Sequence, residues 1–158
     1  TLLGVAERNF RRVPIAPWDE TEKAFAATIA GKPAQSSAFD PVPIRPASTE
    51  EKGGSTDVAD VSWVVPTIGI STMTWVPGVP AHSWQATAAS GSSIGTKGAF
   101  VAAQVLALTG AELLQSPETL AVAKAELAAQ RGADFVYRPM LGDRPPAFNY
   151  RDPPAGGK

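Results

Sequence analysis

The stretch VADVSWVVPTIGISTMTWV, residues 58–76, decides how the rest of the chain is assembled. It is rich in β-branched and aromatic residues, and TIGISTMTW alternates in the period-two manner of a strand that runs to about Val76. Pro66 divides it into two elements, because proline lacks the N–H that a ladder needs. Two helices are read before it and two after it. Two or three strands are too few to cover an apolar helix, so strands from elsewhere are expected to complete the sheet. The expectation is an α/β architecture.

Upstream, Leu2, Leu3, Ala6, Phe10 and Val13 recur at three- and four-residue spacings, a helical stripe that Pro14 ends. A second helix opens at DETE, with Asp19 as cap and Glu22 reaching back, and it stops at Gly31. Downstream, residues 96–115 are apolar nearly all round, the pattern of a helix covered on most faces. A final helix is punctuated by Ser116, Pro117 and Glu118 at its start and Arg131-Gly132 at its stop. Residues 32–49, with four prolines, read as a long connection, and residues 138–158, with five more, as an irregular tail. Residues 1–137 are thus expected to form part of one domain.

Composition narrows the function. A chain of 158 residues that is 44% apolar can bury a core. A formal charge of −1 gives no reason to expect nucleic acid or an anionic membrane as partner. Cysteine is absent, which excludes disulfides and thiolate metal sites and suits a cytoplasmic location. No apolar run is expected to reach the roughly 20 residues that a membrane span needs. The start on Thr1, already in a helical pattern, suggests a fragment or a processed chain.

Four places could carry chemistry. GSSIGTKG, residues 91–98, approaches a phosphate loop, but Gly91 and Gly95 enclose three residues instead of four and Thr96 stands before Lys97. In GGSTDVADVSW, residues 53–63, Asp57 and Asp60 lie three apart beside Ser55, Thr56 and Ser62. The simple reading is a helix cap at Asp57; a carboxylate there could also orient a metal ligand. His82 is the one histidine of the chain, in a loop broken by Pro77, Gly78 and Pro80. Alone it is short of the three or four protein ligands that zinc takes. Thr1 could be the nucleophile of an autoprocessed hydrolase, but such a residue opens a strand and here it opens a helix.

Taken together, GGSTDVADVSWVVPT, GVPAHSWQATAASGSSIGTKGAFVAAQVLALTGAELL and PETLAVAKAEL resemble the C-terminal part of the dinuclear metal-dependent amidohydrolases, the family of carboxypeptidase G and the aminoacylases, and within it the aminobenzoyl-glutamate hydrolase type. The resemblance implies a phosphorylase/hydrolase-like metallopeptidase catalytic domain with a mostly parallel sheet flanked by helices, the missing strands supplied by an upstream segment. It implies two divalent metal ions, zinc or manganese, with His82 as one ligand. Asp57 would stand near the metal pocket, with Thr56, Asp60, Ser83, Trp84, Gly91 and Ser92 lining or supporting it. The family's other ligands and its general base would lie upstream of Thr1, so no catalytic residue is expected within this chain. The implied reaction is hydrolysis of an amide bond of an N-acyl or aryl amino acid, or of a small peptide-like substrate, by a metal-bridged water. Implied partners are the upstream portion as a separate segment, the small-molecule substrate, and a second copy in a homodimer of the full enzyme. The alternative is a non-catalytic binding or assembly subunit that has lost the metal site.

Overall fold

The computed structural model describes residues 1–32 and 56–152. Six helices follow in order: α1 (Leu2–Arg12), α2 (Glu20–Ala30), α3 (Val58–Ser62), α4 (Trp84–Ser90), α5 (Ser93–Gln115) and α6 (Pro117–Arg131). The long helix α5 is the centre, with α1, α4 and α6 packed on it and α2 on α4.

Local signals explain the helices. Helix α1 buries Val5, Ala6 and Asn9 along one face, and Val13 beyond its end is extended because Pro14 follows. Helix α2 has the full capping box: the Glu22 N–H donates to Asp19 Oδ1 at 2.9 Å and the Asp19 N–H to Glu22 Oε2 at 2.8 Å. Gly31 ends it in the left-handed conformation at φ 62°. Helix α6 starts at Pro117 and stops at Gly132, although Ser116 makes no side-chain capping bond. The proline-rich connection falls almost wholly on residues 33–55, outside the described residues.

The expectation of a mostly parallel sheet is overturned. Among the described residues there is no strand. The first half of the decisive stretch is helix α3, extended by a turn in which the N–H groups of Val64 and Val65 both reach Val61 O at 3.0 Å. The second half, residues 67–74, is neither helix nor ladder. β-Branched composition favours a strand only when a neighbouring strand supplies hydrogen bonds, and none lies beside it among these residues.

Two apolar clusters hold the helices. Ala26, Val76, Val79, Ala86, Ala89 and Ile94 join α2, α4 and the start of α5. Val13, Val101 and Val105 join α1 to the middle of α5, with Phe10, Ile70 and Leu108 around them. Two glycines let backbone approach α5. A Cβ at residue 95 would lie 2.1 Å from Ser90 O, and one at residue 98 would lie 2.2 Å from Met73 O. The chain after α4 and the 73–74 segment can therefore lie directly on the helix.

Helix α5 is, among the described residues, long and apolar enough to cross a membrane by length and composition, which corrects the expectation that no run would reach that length. It also carries Lys97 and Glu112, each bound to a neighbouring helix.

Candidate functional site

The site is built on the turn that leads into α4. The Val79 N–H closes it on Val76 O at 3.2 Å, and Gly78 takes φ 84°. His82 has φ 57°, the one non-glycine residue with positive φ among those described. That conformation costs a residue with a Cβ about 1–2 kcal/mol, and such strain gathers at functional positions. Ser83 then fixes the helix start: its hydroxyl donates to Pro80 O at 2.6 Å and accepts from the Ala86 N–H at 3.2 Å. His82 and Trp84 are exposed on either side of it. The His82 ring makes no hydrogen bond or ion pair within the described residues.

Gly91 and Ser92 form the hinge between α4 and α5. The Ser92 hydroxyl donates to Ala89 O at 2.6 Å and accepts from the Ile94 N–H at 3.2 Å, so it caps the central helix. The glycine-rich run is structural in the same way. Gly95 is needed by the Ser90 backbone, and Lys97 Nζ is held by Glu22 Oε2 at 2.5 Å and Pro17 O at 2.9 Å. That lysine ties α5 to α2. Spacing shows Glu22 as a capping residue but not as the buried partner of Lys97, because that contact joins residues 75 apart.

The second group of candidates lies on α3. The Val58 N–H is accepted by Thr56 Oγ1 at 3.3 Å, while Asp57, at the cap position, makes no capping bond with its side chain. Asp60 Oδ1 accepts the Tyr137 hydroxyl at 2.8 Å, and that bond, with burial and the carboxylate charge, holds the phenol above its ordinary value. Arg131 donates to Trp63 O at 2.6 Å, and Trp63 stacks on Phe135 with ring centroids 5.2 Å apart. Helix α3 is thus docked on the end of α6. No hydrogen bond or ion pair joins Asp57 or Asp60 to His82 among the described residues.

The described residues contain no group of three or more His, Cys, Asp or Glu that could hold a metal ion. On their own they do not fit a zinc or manganese site, and His82 offers a single donor. Thr1 leads into a helix, and its ammonium is ion-paired with Glu126 at 2.9 Å, so it is not arranged as a nucleophile with a free base.

Comparison with known proteins points toward hydrolases. The chain is 39% identical over 59 residues to a subunit of the p-aminobenzoyl-glutamate hydrolase of Escherichia coli (strain K12). The matched segment is 37% of this chain and 12% of that protein, so the similarity spans a small part of the relative's length. No family model and no solved structure matches the chain.

Proposed function

We propose that this chain forms part of a metal-dependent amidohydrolase that cleaves an amide bond of an N-acyl or aryl amino acid or a small peptide-like substrate. The observation that carries the reading is the 39% identity to a hydrolase subunit over 59 residues. The conformation of His82 supports it, since an exposed imidazole on a strained backbone, without a partner among the described residues, is suited to serve as a ligand for something outside these residues. In this reading His82 contributes one donor to a divalent-metal site, zinc or manganese. The remaining donors and the general base belong to a companion segment, as does most of the substrate pocket. Asp57, Thr56, Asp60, Ser83, Trp84, Gly91 and Ser92 shape the margin of that site. The proposal includes a cytoplasmic location and a homodimer of the assembled enzyme.

The test uses the complex that the chain forms in its native host, with p-aminobenzoyl-glutamate as the probe. Metal analysis and hydrolysis are measured on the wild type and on His82→Ala. The expected result is metal in the wild-type complex, loss of bound metal in the variant, and a fall in turnover of at least about 100-fold. A complex that keeps both metal and turnover without His82 overturns the assignment. A stable complex with neither in the wild type transfers the reading to a binding or assembly subunit.

A further inference from the structure

We infer, resting on the amidohydrolase reading, that Lys32 supplies the positive charge that holds a carboxylate of the substrate beside the His82 turn. The assembled enzyme then selects amides of amino acids that keep a free carboxylate.

The end of α2 is packed on the turn that carries His82. Ile29 and Ala30 lie against the cluster that holds Val76 and Val79, the two residues whose backbones close that turn. Gly31 takes the left-handed conformation, and the Lys32 N–H returns to Ala27 O at 3.1 Å, which fixes where the lysine leaves the helix. Its side chain runs over the turn. A Cβ at residue 78 would lie 3.0 Å from Lys32 Nζ and 3.9 Å from its Cε, so Gly78, at φ 84°, leaves open the space in which the ammonium sits. Four residues further along the chain stands the exposed His82.

Charge sets this lysine apart from the cations of the helices around it. Each cation within α1, α2 and α5 is bound to a neighbour, Lys97 to Glu22 and Arg8 to Glu112 among them. The Lys32 ammonium has no hydrogen bond or ion pair among the described residues. No Asp, Glu, Lys or Arg occurs from Val61 to Thr96, so the stretch on both sides of His82 has neither a cation to attract a carboxylate nor an acid to repel one. The cation that reaches it comes from α2. An ammonium on a flexible stem, with three donors, suits a carboxylate that arrives with the substrate. The proposed N-acyl or aryl amino acid carries one next to the scissile bond, and holding it fixes where the amide carbonyl stands relative to His82.

The test uses the assembled complex, with p-aminobenzoyl-glutamate as substrate and its diamide, which lacks both negative charges, as competitive inhibitor. Lys32→Met should raise KM for the acid roughly 10- to 100-fold, leave kcat within about threefold and keep bound metal at the wild-type level, and Lys32→Arg should recover most of the loss. The diamide should inhibit wild type and Lys32→Met equally, which a merely structural role would not give. An unchanged KM in Lys32→Met, a diamide weakened as much as the acid, or loss of metal overturns the inference while the amidohydrolase reading stands. A wild-type complex that does not hydrolyse the acid overturns both.

Discussion

At the scale of single residues, two glycines of one helix test how α5 is used. Gly98 has the Met73 carbonyl where a Cβ would lie, whereas nothing comes within 4 Å of such an atom at Gly110. Gly98→Ala should lower the thermal midpoint and cost about 1–3 kcal/mol, because backbone cannot move aside cheaply. Gly110→Ala should raise it, worth about 0.5–1 kcal/mol from helix propensity alone. Melts followed by far-ultraviolet circular dichroism separate the two, and equal effects would mean that the 73–74 segment does not lie on the helix. Glu22 offers a pH test. Burial pushes its carboxyl up, but hydrogen bonds from Lys97, Ser93 and the Asp19 N–H outweigh burial and hold it below its ordinary value. A depressed folded-state value means stability that is complete above the unfolded value and is lost as pH falls through the folded one. Glu22→Gln should therefore cost about 1–2 kcal/mol near neutrality. As the pH falls below the depressed folded-state value the variant and the wild type should converge. A constant gap down to pH 2 would show that the ion pair is not the source.

At the scale of elements, what was legible in the sequence was what short-range chemistry decides. The stop at Pro14, the Asp19–Glu22 capping box, the left-handed Gly31 and the Pro117 start each act within a few residues, and α1, α2 and α6 lie where those signals put them. The strand assignment failed at residues 58–76 because pairing is a contact with another segment. Without one, Val58–Ser62 closed its hydrogen bonds locally as a helix. Helix α4 went unread because small residues such as Ala86 and Ala89 give little periodic signal, although Ser83 carries its cap. Of the site candidates, the place of His82 in a proline- and glycine-broken loop was legible, while its strained backbone and the helix that follows it were not. Helix α5 shows the other side of this. Its all-round apolar pattern predicts cover on most faces, yet Phe100, Leu106 and Leu114 are 65%, 59% and 84% exposed. Phe100→Lys and Leu106→Lys should therefore leave the stability of the chain within about 0.5 kcal/mol of wild type and make it more soluble. If the helix is covered in a larger assembly, the same two substitutions should prevent that assembly from forming. A strongly destabilised isolated chain would mean that these side chains are already buried.

At the scale of the whole molecule, the core is small for the length of chain that it must hold. Among the described residues the fully buried side chains of any size are Ile94, Val76, Val105 and Asn9, and no aromatic residue is among them. Trp63, Trp75 and Trp84 are all exposed, at 49%, 41% and 67%. Large aromatic side chains normally supply much of the burial energy of a domain, so leaving three indoles in water forfeits several kcal/mol that a closed core would gain. Helices that pack through a few alanines and valines can keep their hydrogen bonds while losing fixed tertiary contacts. Differential scanning calorimetry of the isolated chain makes this quantitative. A compact domain of this length would unfold with about 100 kcal/mol of enthalpy near 60 °C. The described packing predicts well under half of that, together with tryptophan emission close to that of a solvated indole and binding of hydrophobic dyes, while the helical signal remains. If the proposed companion segment covers these surfaces, adding it should shift the emission to the blue, displace the dye and restore the enthalpy, because folding and association would then draw on the same buried surface. A sharp transition with the full enthalpy in the chain alone would show instead that these helices close on themselves, and would remove the physical need for a companion.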